Sequence, residues 1–158
     1  VPDALDRLIL RMQHLDASAR VGALDEENAR KLSLQEFGSA QGPAGTKGEH
    51  NVIRPTLSAA TDRNANAIRR ATDRKVAAVV DGKSTQTGQD ILADVAADLA
   101  EEVQNEIDGN VPPVLAASTL AARRRRGNAS ERTLVDTGDM LRSIKVEAKR
   151  GDGGWPDE

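Results

Sequence analysis

The chain has 158 residues, of which 38% are hydrophobic and only 1% aromatic, and its formal net charge is −3. This length suits one domain with a modest core, and the absence of cysteine excludes disulfides, thiolate nucleophiles and cysteine-based zinc sites. The acidic balance argues against a protein that coats DNA, because such a protein needs a basic face to neutralise phosphates.

Two further classes are disfavoured by the composition. The two histidines, His14 and His50, belong to no metal-ligand or acid–base motif, so we expect no metal and no other cofactor. No apolar run approaches the roughly 18 residues of a membrane span, and the start, VPDALDRLIL, lacks the pattern of a secretory signal. We therefore expect synthesis in a cytoplasm and no contact with a membrane. Much of the apolar content is alanine, which buries little area, so we also expect assembly with other chains to stabilise the subunit.

The first third of the chain predicts a helix, two strands and a loop. Residues 3–15, DALDRLILRMQHL, carry apolar residues at helical spacing, with Asp3 as the N-cap. Residues 19–24, ARVGAL, suit a short strand, and the alternating apolar residues of 29–38, ARKLSLQEFG, indicate a second one. Residues 38–52 contain four glycines and one proline without periodicity, which is typical of a loop.

The remainder predicts two long helices, shorter helices and a last strand. Pro55 suits the first turn of a helix over 56–80, which Asp81-Gly82 closes. Apolar residues at every fourth position predict a second helix over 89–107. A shorter helix follows Pro112-Pro113 and ends in four arginines, and SIKVEAK, residues 143–149, alternates like a strand. We predict a single α+β domain over 1–149, with a small antiparallel sheet packed with the two long helices, and a polar tail over 150–158.

Residues 133–144, TLVDTGDMLRSI, contain Asp136-Thr137-Gly138, which is found in two unrelated contexts. In retroviral-type aspartic proteases such an aspartate is catalytic, but that chemistry needs β structure around it and a second carboxylate that shares its proton. Here RRRRGNASER precedes Asp136, and the apolar residues that follow have helical spacing. We therefore predict that Asp136 or Thr137 caps a short helix, with Gly138 as a permissive entry and Asp139 adding negative charge to its first turn. The protease remains the alternative.

The same segment resembles the signature of the tail-completion or head–tail joining (neck) proteins of tailed bacteriophages. The recurring form there is an apolar residue, Asp-Thr-Gly, a spacer, Leu-Arg, a spacer and Ser-Ile. The matching residues are Leu134, Asp136, Thr137, Gly138, Leu141, Arg142, Ser143 and Ile144.

Two further motifs extend the resemblance over roughly residues 19–148. QEFG at 35–38, followed by Arg54-Pro55-Thr56-Leu57, is similar to the family's Glu-Phe-Gly and Arg-Pro-Phe-Leu. The order VDG, helix, PPV, STLAAR is similar to the family's middle. Thr56 stands in place of an aromatic residue and Thr133 in place of a proline, and the 38–52 loop is longer than expected.

The resemblance implies a structural protein without catalytic activity. Family members form rings between portal and tail, through which DNA passes. The implied partners are five further copies in a six-membered ring and other neck, connector and tail proteins, with DNA only as passing cargo. The implied location is the virion.

Several residues are candidates for contacts in such a ring. The arginine run has two interpretations: a solvated helix end that complements the helix dipole, or a contact with acidic residues of a neighbour. A helical nucleic-acid-binding protein that uses this run is a further alternative. The Glu-Phe-Gly and Arg-Pro motifs either flank a loop or hold it for docking, and the tryptophan of the tail is a possible interface anchor. The candidates are Arg123, Arg124, Arg125, Arg126, Glu36, Phe37, Gly38, Arg54, Pro55 and Trp155.

Overall fold

A computed structural model describes residues 4–37 and 53–151 of the protein. Within them it contains six helices and a small two-stranded antiparallel sheet, which confirms the α+β class. The elements are α1 Ala4–Gln13, β1 Ala17–Ala23, α2 Glu26–Phe37, α3 Leu57–Val80, α4 Gly88–Asp108, α5 Ala117–Arg125, α6 Asp139–Ser143 and β2 Ile144–Arg150. The predictions for Asp3, Gly38, the 38–52 loop and Trp155 lie outside the described residues.

Contacts within the chain group it into two compact units. The first unit comprises Val1–Val21, Asn64–Leu99 and Val146–Glu158, and the second comprises Gly22–Arg63 and Ala100–Lys145. The boundaries fall inside β1, α3, α4 and β2. The single domain over 1–149 stays a prediction.

Helix α4 confirms the strongest periodic pattern of the sequence. Its apolar residues recur on one face, and Ile91, Val95, Val103 and Ile107 are all at most 5% exposed. A stripe of this width is what an amphipathic helix buries against a core. Leu32, Ala60, Met140 and Ile144 add to the core of the second unit.

Helix α3 ends as its sequence predicts. The N–H of Gly82 donates to the carbonyl of Val79 at 3.0 Å and that of Lys83 to Ala78 at 2.8 Å, the two bonds of a Schellman motif. Gly82 has φ of 76°, which glycine adopts without steric cost. From α1, Arg11 Nη1 donates to the carbonyl of Val80 at 3.0 Å, so a cation also complements this helix end.

The second predicted strand is wrong, because residues 26–37 form the helix α2. Asp25 caps it: its carboxylate accepts the N–H of Asn28 at 2.9 Å, and this hydrogen bond lowers the pKa of Asp25. Leu32 and Glu36, one turn apart, are buried, whereas Leu34 is 40% exposed. Short apolar alternations fit both structures, and Asp25 followed by two glutamates was the helix signal.

The two strands predicted near the ends of the chain are confirmed. They pair with each other, and Arg20 Nε donates to Glu147 Oε2 across the sheet at 2.9 Å. At the edge, the N–H of Gly151 donates to the carbonyl of Asp16 at 3.0 Å. Among the described residues, none of the helices combines the length and hydropathy needed to cross a membrane.

Candidate assembly site

The signature segment, residues 133–144, lies in the second unit and includes the predicted short helix, α6. Met140, Ser143 and Ile144 are buried, and α6 packs against α2. Ser143 Oγ donates to the carbonyl of Met140 at 2.7 Å, so the buried hydroxyl is satisfied. Leu141 is half-buried and Arg142 exposed. The apolar residues of the signature thus anchor it, and its charged residues face outward.

Asp136 does not cap α6, which corrects the prediction from the sequence. The N-cap residue is Gly138, with φ of 80°, which has no side chain to make a cap hydrogen bond. Of the two predicted caps, only Thr137 contacts the helix start: its Oγ1 accepts the N–H of Asp139 at 3.5 Å. The Asp136 carboxylate instead accepts hydrogen bonds from Asn128 Nδ2 at 2.5 Å and Arg126 Nη2 at 3.1 Å, and Arg123 Nε lies 3.4 Å away. Two arginines and an amide therefore hold the carboxylate in place.

Thr137, Gly138 and Asp139 form a small network with Arg142. The Thr137 hydroxyl and Arg142 Nη2 each donate to the Asp139 carboxylate at 2.5 Å, and these two hydrogen bonds lower the pKa of Asp139. A Cβ on Gly138 would lie 2.7 Å from Arg142 Nη1. The backbone conformation therefore favours glycine here, whereas the exposed end of the Arg142 side chain can shift to make room for a Cβ.

Arg123 is the buried anchor of the segment that precedes the signature. It lies in the last turn of α5, with only 6% of its surface exposed. Its guanidinium donates to four carbonyl oxygens at 2.6 to 3.4 Å, those of Ser130, Arg132, Thr133 and Val135. Because guanidinium is planar and carries five N–H donors, one side chain fixes the path of the whole loop.

The four arginines are therefore not one solvated run. Arg126 pairs with Asp136, and Arg124 pairs with Glu131 at 2.6 Å on the surface. Arg125 is exposed, and no ion pair to it occurs within 4–37 and 53–151. Arg123 belongs to the interior of the fold, and only its three neighbours remain candidates for an interface.

Thr133 shows why a proline is absent at this position. It is buried, its N–H donates to Asn110 Oδ1 at 2.9 Å and its hydroxyl to the same oxygen at 2.5 Å. A proline would lack the N–H donor. Sequence reasoning missed Asn110 and Asn128, although asparagine just after a helix is a common sign of a left-handed or turn residue; Asn110 has φ of 60°.

Glu36 is buried and caps α3 from the end of α2. Its carboxylate accepts the N–H groups of Thr56 at 2.5 Å and Leu57 at 2.6 Å and the hydroxyl of Ser58 at 2.7 Å. These are donors that a helix start cannot satisfy internally. Burial raises the pKa of Glu36, but the hydrogen bonds from Ser58, Thr56 and Leu57 together outweigh it, so the pKa lies below its ordinary value.

Thr56, which stands in place of an aromatic residue, is part of the same cap. It is fully buried, and its hydroxyl donates to Glu36 Oε1 at 3.0 Å. An aromatic side chain would lose that hydrogen bond. Threonine suits this position because a buried carboxylate needs hydrogen-bond donors, and the hydroxyl supplies one.

Arg54 joins the neighbouring motif to Pro113. Its guanidinium donates to the carbonyl of Pro113 at 2.8 and 3.2 Å, and its N–H donates to the carbonyl of Gln35 at 2.8 Å. Burial lowers the pKa of Arg54. Pro55 is half-buried, whereas Phe37 is 79% exposed. Of the residues proposed for contacts around the loop that the structure describes, Phe37 is the one left exposed.

A pocket of about 340 Å³ separates α2 from the signature segment. Asn28 and Gln35 line it, and the side-chain oxygens Asn28 Oδ1 and Gln35 Oε1 are buried without a hydrogen-bond partner in the described part of the chain. Within 4–37 and 53–151, histidine, aspartate and glutamate side chains form no group of three that could hold a metal ion. The carboxylates of this region hold backbone and side-chain donors, which is a structural use.

Comparison of the chain with protein-family models, with curated proteins and with solved structures gives no match.

Proposed function

We propose that the protein is a noncatalytic structural subunit that forms a ring at the head–tail junction, or at the top of the tail, of a tailed phage and joins the connector to the tail. Six copies form the ring. The observation that carries the proposal is that the motifs shared with neck proteins are hydrogen-bond partners of one another. Glu36 binds the start of α3, Arg54 binds Pro113, and Arg123 binds the segment that leads into the signature.

These contacts support the proposal because they link residues far apart in the sequence. Thr56 follows Glu36 after 20 residues, and Pro113 follows Arg54 after 59. Short motifs that match a family by chance would not be expected to contact one another. Motifs that belong to a shared fold would, because each one holds another in place.

The surroundings of Asp136 support a noncatalytic role. An aspartic protease needs two carboxylates that share one proton. The carboxylate of Asp136 is instead engaged by Arg123, Arg126 and Asn128, which is the arrangement of a structural group.

The uncovered apolar side chains support assembly. Leu5, Leu10, Met12 and Phe37 are each at least half exposed, and exposed apolar patches commonly mark interfaces. A contact between two different surfaces of the same chain closes into a ring when it repeats by rotation.

A phage that encodes the protein offers the test. Deleting the gene should leave filled heads and tails that do not join, as seen by electron microscopy, and supplying the protein in trans should restore joining. Asp136→Asn should also restore joining if the residue is structural and tolerates a neutral isostere. Joined, infectious particles after the deletion would contradict the proposal.

The nucleic-acid-binding alternative has its own discriminator. Binding that depends on phosphates weakens steeply as salt rises. We expect the purified protein to bind duplex DNA weakly at low salt, and Arg125→Glu to change that binding little. Tight binding that is lost with both added salt and Arg125→Glu would favour the alternative.

A further inference from the structure

The two strands of the sheet differ in how their outer edges are covered. The N–H of Gly151 donates to the carbonyl of Asp16, and Arg20 contacts Glu147, so these residues stand opposite each other in the antiparallel pair. Residues along such a pair alternately bond their partner and turn their N–H and C=O groups outward. The outward groups are therefore those of Ala17, Ala19, Val21 and Ala23 on β1 and of Ile144, Val146, Ala148 and Arg150 on β2.

The outer edge of β2 is covered by side chains of α4. Gln89 Nε2 donates to the carbonyl of Ala148 at 3.0 Å, and Gln104 Nε2 donates to that of Ile144 at 3.4 Å. Both carbonyls belong to the outward set. Two glutamine side chains thus occupy places where a further strand would form its hydrogen bonds, and the lysines of β2 add the kind of charge that keeps strand edges from pairing.

The outer edge of β1 has no such cover. Within 4–37 and 53–151, no element other than β2 hydrogen-bonds to the backbone of Ala17, Ala19 or Val21, and all three residues are half-buried. Their side chains are small, and β1 contains neither lysine nor proline, two residues that protect edge strands. Its one charged side chain, Arg20, is held across the sheet by Glu147 at 2.9 Å. This edge is therefore open to a further strand.

A second copy of β1 fits the open edge. An edge strand presents N–H donors and C=O acceptors at the same outward residues, so two identical edges are complementary when a two-fold axis brings them together antiparallel. With the axis at Ala19, Ala17 of each copy faces Val21 of the other, and Arg20 faces Ser18. Like charges directly opposite each other destabilise a strand pair. This register avoids the contact between two Arg20 side chains that an axis at Arg20 would create.

We propose that two copies of the chain pair through the outer edges of their β1 strands, so that two two-stranded sheets become one continuous antiparallel sheet. A wider sheet is more stable than an isolated two-stranded one. The contact is smaller than a standard interface, so the pair forms at high concentration and dissociates on dilution. A contact between identical surfaces closes at two copies. It is therefore separate from the contacts of the ring and does not rest on the proposed function.

Cysteine linkage tests the pairing, because the chain contains no cysteine of its own and any disulfide must join two copies. At the axis, the two Cα atoms of residue 19 stand about 5.5 Å apart, which a disulfide can span. We expect Ala19→Cys to give a covalent dimer under mild oxidation in far higher yield than Ala77→Cys, whose cysteine is exposed on α3. Equal yields would overturn the proposal.

A mixture of two variants tests the strand direction. Ala17→Cys in one copy faces Val21→Cys in the other, so a mixture of the two, one of them isotopically labelled, should give the mixed dimer. Ala17→Cys alone should not link, because its two copies lie roughly 13 Å apart along the strands. Self-linkage of Ala17→Cys at the yield of the mixture would overturn the antiparallel pairing at Ala19.

Native mass spectrometry over a concentration series is the second arm. Ala19→Lys places two cations at the axis and should raise the dissociation constant of the dimer about tenfold, whereas Ala77→Lys should leave it unchanged. A wild-type monomer at every concentration, an unchanged constant for Ala19→Lys, or a ring without Ala19→Cys linkage would overturn the pairing. A dimer linked through Ala19→Cys, from a phage whose heads and tails join without the protein, would contradict the proposed ring function alone.

Discussion

Helices α1 and α4 carry the same sequence pattern, but their apolar faces differ in burial. Both repeat apolar residues at helical spacing, yet Val103 and Ile107 of α4 are 0% exposed while Leu5 of α1 is 62% exposed. Periodicity thus specifies which face of a helix is apolar and says nothing about which surface covers it. For α4 the cover is the chain's own core. For α1 we propose that it is another copy.

Charged residues show the same contrast. Arg123 and Arg125 are two residues apart on α5, but the first is buried among carbonyl oxygens and the second is exposed. Glu36 resembles any surface glutamate in the sequence and yet caps a buried helix start. Residue type and spacing alone cannot separate a buried anchor from a solvated neighbour.

The largest expected effect separates the two arginines. Arg123→Met removes a buried cation and leaves four carbonyl oxygens without that donor, so we expect the free energy of unfolding to fall by about 4 kcal/mol. Arg125→Met should change it by under about 0.5 kcal/mol. Urea denaturation of both variants measures the difference. Similar losses in the two would contradict the anchoring role of Arg123.

The second prediction separates the two helices. Ile107→Ala should lower the free energy of unfolding by about 3 kcal/mol, because it opens a cavity in a fully buried site. Leu5→Ala, measured at a concentration too low for assembly, should cost under about 0.5 kcal/mol. A loss of several kcal/mol for Leu5→Ala would mean that α1 is covered within the single chain.

The third prediction concerns the cap of α3. Glu36→Gln keeps the shape but loses the charge that accepts five donors, the N–H groups of Thr56, Leu57 and Ser58 and the hydroxyls of Thr56 and Ser58, so we expect a loss of about 2 kcal/mol near neutral pH. Because the folded pKa of Glu36 lies below the ordinary value of 4.5, the unfolded chain binds the proton more readily, and the stabilisation is full above that value and lost as the pH falls through the folded pKa. The difference between wild type and variant should therefore shrink on acidification.

Glu101→Gln, on the exposed face of α4, is the control for Glu36. It should change the free energy of unfolding near neutral pH by under about 0.5 kcal/mol. A difference for Glu36→Gln that stays constant down to pH 2 would contradict a charged cap.

The smallest expected effect has the opposite sign. Gln35→Met removes a buried oxygen that has no partner in the described residues, and we expect a gain of about 1 kcal/mol in the free energy of unfolding. Gln104→Met should instead cost stability, because Gln104 donates to the carbonyls of Leu141 and Ile144, each at 3.4 Å. Loss of stability in both variants would show that Gln35 makes an essential hydrogen bond.

Much of the fold followed from local patterns. The long helices, the short helix of the signature, the Gly82 helix end and the two paired strands all depend on periodicity and turn chemistry near each residue. The strand predicted over 29–38 is wrong because Leu32 and Leu34 alternate over too short a span to separate strand from helix. The cap there, Asp25, lay just outside the segment.

The site was less predictable because its contacts are distant in sequence. Aspartate is a common N-cap residue, but the Asp136 carboxylate accepts hydrogen bonds from Asn128 and Arg126 instead. These two residues lie after α5, on the loop that precedes the signature segment. The bonds of Glu36 to Thr56 and of Arg54 to Pro113 depend on how α2 and α3 pack. Secondary-structure propensity does not predict which distant residues pair. The resemblance therefore pointed to Glu36 and Arg54 but not to the residues that they bind.

A cryo-electron microscopy structure of the assembled protein tests the account most directly, since it shows what covers α1. The account predicts a closed ring in which Leu5, Ile9 and Met12 of each copy lie against a neighbouring copy. A ring in which these α1 side chains face solvent in every copy would contradict it.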